Sequence, residues 1–231
     1  MTGEICVAGS IRVIVSLMVR FITFEGGDGT GKTTQIRILE TLLREQKRPC
    51  IVSREPGGTT LGQTIRKILL EVHSEPLATN AELFLYLADR AQHVQQSILP
   101  ALARGEVVLC DRYTDSTIAY QGYGRGLDLN FLHAQNSIAT GGLRPDLTFL
   151  LDCPSEVALQ RAAQRHGVRT DQARSADRFE SEQVEFHQRV RAGFLELAHA
   201  EPKRFRVIDA TQSPQEIAST IRATIEREAA Q

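Results

Sequence analysis

Residues 21–34 read FITFEGGDGTGKTT, an apolar run that leads into a glycine-rich turn. The turn matches the pattern G-x-x-x-x-G-K-[ST], in which glycines let successive backbone N–H groups face one point and bind phosphate oxygens. The following helix adds its positive N-terminal end, the lysine reaches the terminal phosphates, and the next hydroxyl binds magnesium. The sequence therefore predicts that ATP binds with Mg²⁺ at Gly26, Gly27, Asp28, Gly29, Thr30, Gly31, Lys32, Thr33 and Thr34.

Five short apolar runs predict buried parallel strands at residues 21–25, 50–53, 107–110, 147–152 and 205–209. Between them, helical periodicity covers residues 33–46, 80–104, 128–141, 154–165, 180–200 and 214–229. Alternating strands and helices predict an α/β fold, a doubly wound five-stranded parallel sheet flanked by helices. With the phosphate-binding turn, this is the fold of a P-loop NTPase, whose ligands collect at the carboxyl ends of the strands.

The length of 231 residues predicts one compact domain at residues 18–231, preceded by an N-terminal extension. We expect the extension, residues 1–17, to be poorly ordered, with Met18 as an alternative start. The apolar stretch at 11–19 is too short to span a bilayer and contains Arg12. Residues 166–177 are poor in apolar side chains, which predicts a solvent-exposed lid at about 161–180.

Composition excludes several other classes of protein. The formal net charge of -1 argues against a nucleic-acid binder that neutralises many phosphates. The four cysteines, Cys6, Cys50, Cys110 and Cys153, show no zinc-ligand spacing, and the last three lie in apolar runs. The composition therefore predicts a cytoplasmic protein with small-molecule substrates, buried thiols, no nucleic-acid partner and no membrane segment.

A few polar residues stand where a second substrate would bind. Asp111 ends the third apolar run, which predicts a carboxylate beside magnesium and Thr33. Arg54 and Arg112 follow strands. Their planar guanidinium groups can donate paired hydrogen bonds to phosphate oxygens. Tyr86 and Arg90 are four residues apart on one helix face and can meet the same ligand. Each residue taken alone is also explained by an ion pair or by core packing.

Taken together, six motifs resemble those of thymidylate kinases, and the resemblance runs from about residue 20 to the C-terminus. The motifs are FEGGDGTGKTT at 24–34, REPGG at 54–58, DRY at 111–113, AYQG at 119–122, RPDLT at 144–148 and DRFE at 177–180. This resemblance implies transfer of the γ-phosphate of ATP to thymidine monophosphate, and pairing of the chain as a homodimer through helices.

The resemblance also implies roles for the substrate-binding residues. Arg54 and Arg112 would hold the acceptor phosphate, Tyr86 would stack on thymine and Arg90 would bond a thymine carbonyl. Asp28 would contact the 3′-hydroxyl of the sugar, and Thr117 and Gln121 would line the base pocket. Many relatives have phenylalanine where this chain has Tyr86, a change that preserves stacking.

Catalysis by such a protein needs clustered positive charge rather than a general base. A phosphate monoester has a second pKa of about 6, so the acceptor is already ionised at neutral pH. One branch of the family carries a catalytic arginine in the P-loop, at the position of Gly29 here, and the other carries it in the lid. The predicted catalytic residues are therefore Lys32, Asp111 and Arg112, with Arg165 or Arg178 from the lid.

Three other functions remain open at this stage. They are a kinase for another nucleoside monophosphate, a GTP-dependent switch, and a catalytically silent nucleotide-binding module. A switch requires the guanine-binding motif N-K-x-D, which this sequence lacks.

Overall fold

A computed structural model describes residues 19–71, 75–167, 178–179 and 182–228, without the side chains of 165–167. Five parallel strands form one sheet in the order β2-β3-β1-β4-β5. They are β1 (Phe21–Glu25), β2 (Cys50–Arg54), β3 (Val107–Asp111), β4 (Leu147–Asp152) and β5 (Phe205–Asp209). The predicted α/β fold is confirmed. Strands β2 and β3 each run one residue further than predicted because Arg54 and Asp111 pair with each other in register.

Helices cover both faces of the sheet. Their bounds are α1 (Lys32–Glu45), α2 (Thr60–Leu70), α3 (Thr79–His93), α4 (Leu99–Ala103), α5 (Thr114–Thr117), α6 (Leu129–Thr140), α7 (Ser155–Gly167), α8 (Val184–Ala200) and α9 (Pro214–Glu228). Within the described ranges, two segments form wider, π-helical turns. Val94–Ile98 joins α3 to α4, and Ile118–Gly124 continues α5.

Three differences from the predicted helices bear on the site. Helix α2 was not predicted, because its glycine-rich start resembles a loop, but Thr59 caps it by accepting a hydrogen bond from Gly62 N at 3.0 Å. The single helix predicted at 80–104 is interrupted by the π-helical turns. Helix α5 and its π-helical continuation were also missed, although they carry Thr117 and Gln121.

The core lies on both sides of the sheet. On one face Ile22 and Phe24 pack with Ile36 of α1 and Ile221 of α9. On the other, Leu150 belongs to a cluster with residues of α3, α6 and α8. This packing fixes the strands so that all five carboxyl ends, and the turn after β1, meet at one edge.

Several expectations fall outside the described residues. They are the extension at 1–17, the central part of the lid at 168–177, and residues 180–181; the first lid residues, 161–167, are helical. Over the described part of the chain, no helix combines the length and the apolar character needed to cross a bilayer.

Candidate active site

The glycine-rich turn after β1 is closely packed against the rest of the fold. Gly26 and Gly29 have φ of +128° and +87°, angles that residues other than glycine rarely adopt. A Cβ on Gly29 would also overlap the carbonyl oxygen of Ala158 in α7. Because α7 occupies this space, the turn has no room for a side chain at position 29.

Lys32 opens α1 and folds back over the turn. Its Nζ donates hydrogen bonds to the carbonyl oxygens of Gly26 at 2.9 Å and Gly27 at 2.8 Å. Burial, and then the nearby Arg112 charge, lower the pKa of Lys32 to about 8, although Asp111 and Asp28 act in the opposite direction. The lysine is thus a buried cation held at the mouth of the phosphate-binding turn.

Thr33 and Asp111 supply adjacent oxygen atoms beside the turn. The Thr33 hydroxyl donates to Asp111 Oδ2 at 3.0 Å, in an exposed position. Arg54 is exposed at the end of β2 and is the register partner of Asp111. Magnesium prefers oxygen ligands and retains several waters, so an exposed hydroxyl and carboxylate next to a phosphate-binding turn fit this ion.

A second pocket, of about 530 Å³, opens beside the turn. It brings together six of the seven predicted substrate-binding residues, and only Arg54 is absent from its lining. The six are Asp28, Tyr86, Arg90, Arg112, Thr117 and Gln121. Because Asp28 belongs to the phosphate-binding turn, the pocket and the turn form one continuous site.

Arg112 joins the pocket to the turn. Its Nη1 donates to Gly26 O at 3.0 Å, and its Nη2 donates to Asp28 Oδ1 at 2.8 Å and to Tyr120 Oη at 3.1 Å. Burial raises the pKa of Asp28, but the charges of Arg112 and Lys32 outweigh it and hold this pKa well below the usual range. Two cations and one carboxylate therefore meet where the two halves of the site touch.

Arg90 forms part of the pocket wall and is almost fully bonded. Its Nε pairs with Glu55 at 2.8 Å, and Nη1 donates to Thr117 and Asn136 at 2.8 and 2.6 Å. Nη2 donates one hydrogen to Tyr113 O at 2.9 Å. With its five N–H groups, arginine retains one Nη2 hydrogen that none of these bonds uses. Arg90 is thus a rigid donor with little freedom to change its partners.

Aromatic rings form the apolar part of the pocket. Tyr86 and Tyr120 lie near Phe179, with centroid distances of 6.4 and 5.6 Å. Burial raises the pKa of Tyr86, so its hydroxyl stays neutral. Gln121 donates from Nε2 to the buried carboxylate of Glu82 at 2.8 Å, which fixes the orientation of its amide. These flat and polar surfaces are suited to a planar base.

Of the two predicted lid arginines, Arg178 has a described side chain and Arg165 does not. Arg178 pairs with Glu82 at 2.6 Å and donates from Nε to Leu69 O at 3.2 Å, beside the aromatic end of the pocket. Phe179, the next residue, lines the pocket itself. Arg165 is in α7, and its side chain is not described.

Sequence reasoning missed Arg66 of α2. Arg66 lines the pocket and donates from Nη1 to Pro56 O at 2.9 Å. Burial lowers the pKa of Arg66, and the charges of Arg54 and Arg112 lower it further. Arg66 and Arg112 both line the pocket. Recognising the capped helix after Thr59 would have placed Arg66 on the inner face, one turn beyond Gly62.

The parallel sheet, the phosphate-binding turn at the end of its first strand and the buried lysine define this chain as a P-loop NTPase. Its second pocket, lined by arginines, belongs to a nucleotide kinase. The sequence profile described as thymidylate kinase matches residues 24–221. The chain belongs to the thymidylate kinase family.

Relatives agree with this assignment over most of their length. The chain is 52% identical to the thymidylate kinase of Desulfovibrio desulfuricans over 206 residues, which cover 89% of this chain and 94% of the relative. It is 53% identical to that of a Synechococcus species, with the same coverage of both chains. It is 54% identical to that of Solidesulfovibrio magneticus over 201 residues, 87% of this chain and 96% of the relative.

Proposed function

We propose that this protein transfers the γ-phosphate of ATP to thymidine monophosphate, forming thymidine diphosphate and ADP. The observation that carries this proposal is the position of Arg112. It is bonded at once to the phosphate-binding turn, through Gly26 and Asp28, and to Tyr120 in the wall of the second pocket. One cation at this junction can contact both an acceptor phosphate and the phosphate being transferred.

The main obstacle to this reaction is the repulsion between two polyanions. Lys32 and the N-terminus of α1 bind the terminal phosphates of ATP, and these phosphates compete with Gly26 O and Gly27 O for the lysine Nζ. Arg112 and Arg54 bind the acceptor phosphate, with Arg66 close by. These residues therefore lower the barrier by holding positive charge in a fixed position before the substrates meet.

Thr33 and Asp111 are the residues that would hold Mg²⁺, since their oxygens are adjacent and exposed beside the turn. When bound, the ion supplies positive charge to the phosphate oxygens of ATP. Arg112 and Lys32 act beside it as protein groups.

The second pocket selects the acceptor. Tyr86 stacks on the thymine ring, the free Nη2 hydrogen of Arg90 donates to a thymine carbonyl, and Thr117 and Gln121 line the edge of the base. Asp28 accepts a hydrogen bond from the 3′-hydroxyl of the sugar. Because Arg90 and Gln121 are already fixed by Glu55 and Glu82, they lose little freedom when the base binds.

A coupled assay of ADP release, with ATP, magnesium and a panel of nucleoside monophosphates, tests the proposal. We expect thymidine monophosphate to be the preferred acceptor. Higher activity with uridine or another monophosphate would identify a different nucleotide kinase. ADP release that is equally fast without any acceptor would contradict transfer to a monophosphate. No ADP release with any acceptor would also contradict transfer and would favour a nucleotide-binding module.

The stacking role of Tyr86 leads to a specific expectation. Tyr86→Ala should raise the KM for thymidine monophosphate by about 5- to 150-fold, since stacking of a base on an aromatic ring contributes roughly 1–3 kcal/mol. Tyr86→Phe retains the ring and should change this KM less than about threefold. Steady-state kinetics with ATP saturating would measure both, and equal effects of the two substitutions would contradict stacking.

A homodimer is the proposed assembly. Helices α3 and α6 pack on each other, and they expose Phe84 at 55%, Phe131 at 41% and Ile138 at 75%. Large apolar side chains on neighbouring helices are typical of an interface between copies. Ile138→Asp should shift the protein from dimer to monomer in analytical ultracentrifugation, whereas Ile38→Asp, at an exposed position of α1, should not. A wild-type monomer would refute this assembly.

The cytoplasm stays the predicted location. Among the described residues the cysteines Cys50, Cys110 and Cys153 are free thiols, as expected in a reducing compartment.

A further inference from the structure

Arg112 adopts an unusual backbone conformation. Its φ is +72°, in the left-handed region that residues with a Cβ rarely occupy. Such a conformation costs free energy and persists only where the surrounding structure holds it, often at functional sites. Contacts with neighbouring residues must therefore stabilise this backbone conformation of Arg112, the residue that joins the two halves of the site.

Both oxygens of the Glu25 carboxylate accept hydrogen bonds from residues that follow Arg112. Its Oε1 accepts a hydrogen bond from the backbone N–H of Tyr113 at 2.7 Å, directly after the left-handed residue. Its Oε2 accepts from the Ser116 hydroxyl at 2.6 Å, and Ser116 Oγ in turn accepts from Arg112 Nη1 at 3.1 Å. One carboxylate thus fixes the backbone after Arg112 and, through Ser116, its guanidinium.

Stability alone does not explain Glu25. Its side chain is buried in β1, and no direct ion pair to it is found within the described residues. Burial and, to a smaller extent, the Asp115 charge raise the pKa of Glu25 to about 7, although Arg112 acts in the opposite direction. An apolar residue at this buried position would avoid the cost of removing a carboxylate from water.

We propose that Glu25 is a positioning residue for the acceptor phosphate, which it acts on through Ser116 and Arg112. Glu25 directly precedes the phosphate-binding turn. The strand that carries the turn therefore also orients the guanidinium group of Arg112. The acceptor phosphate and the transferred phosphate are thereby aligned from a single strand. This inference rests on the proposed transfer to a nucleoside monophosphate.

Two substitutions test the inference. Glu25→Gln preserves size but cannot accept from both Tyr113 N and Ser116 Oγ, and Ser116→Ala removes the link to Arg112 alone. We expect each to raise the KM for thymidine monophosphate about tenfold, with the KM for ATP changed less than twofold. Thr23→Val is the matched control, because Thr23 is buried in the same strand and its hydroxyl, among the described residues, bonds only Thr148, at 2.8 Å. It should alter thermal stability but not this KM.

Ser116 also lines the pocket, so its direct and indirect effects must be separated. If it acts through Arg112, Ser116→Ala should raise the KM for thymidine monophosphate by less than twofold in an Arg112→Ala background. A full tenfold effect in that background would overturn the inference. So would an unchanged KM in the folded single variants, while the wild type still phosphorylates thymidine monophosphate. Loss of wild-type activity towards every acceptor would instead contradict the proposed function.

Discussion

Lys32→Met is expected to lower kcat by about a thousandfold. Removing one fixed positive group from a site where charge develops typically costs 10²–10³ in rate, about 3–4 kcal/mol. Lys32 is buried at the phosphate-binding turn, and among the described residues its Nζ bonds only carbonyl oxygens of that turn. We expect phosphate oxygens to replace them when ATP binds. Methionine has a similar length, so the fold should persist.

Lys67→Met provides the matched control, because Lys67 is exposed on α2. It should leave kcat within about twofold of the wild type. Circular dichroism should show that both variants are folded. A loss of less than tenfold for Lys32→Met would mean that the lysine does not contact the transferred phosphate.

The same lysine predicts the pH dependence of ATP binding. Burial lowers the pKa of Lys32 to about 8, so the free enzyme loses this positive charge as pH rises through that value. The apparent affinity for ATP should fall above about pH 8 in the wild type. The fall should be absent in Lys32→Met, which has no proton to lose. A direct titration of ATP binding between pH 6.5 and 9.5 would measure the difference.

Removal of the catalytic lid arginine is the second large effect that we expect. An arginine that contacts the transferred phosphoryl group contributes on the order of 10³–10⁵ in kcat elsewhere. Gly29 has no space for a side chain in the turn, so we expect the lid to supply an arginine to the transferred phosphate. Either Arg165→Ala or Arg178→Ala should therefore lower kcat about a thousandfold.

The two arginines are distinguished by which kinetic constant changes. Arg178 is tied to Glu82 beside the aromatic end of the pocket, where Glu82 also holds Gln121. If Arg178 acts only from this position, Arg178→Ala should raise the KM for thymidine monophosphate and spare kcat, and Arg165→Ala should carry the loss in kcat. Losses below tenfold in kcat for both variants would defeat the assignment of a lid arginine.

The acceptor pocket was only partly predictable from the sequence. Tyr86 and Arg90 could be placed on one helix face because four residues make about one turn. The fixed partners of Arg90, which are Glu55, Thr117 and Asn136, come from three distant segments, and no local pattern joins them. Arg66 was missed for a more local reason, since its helix begins in a glycine-rich segment and was not predicted.

The sequence by itself determined the five strands, the position of the phosphate-binding turn and the edge of the sheet where the ligands bind. These features depend on short-range patterns of apolar residues and glycines, which reflect backbone geometry within a few residues. Only the tertiary structure decided the left-handed conformation of Arg112, its link to Glu25 and the pairing of Arg178 with Glu82. Such contacts join residues far apart in the chain, and their geometry is fixed by packing of the whole sheet and its helices.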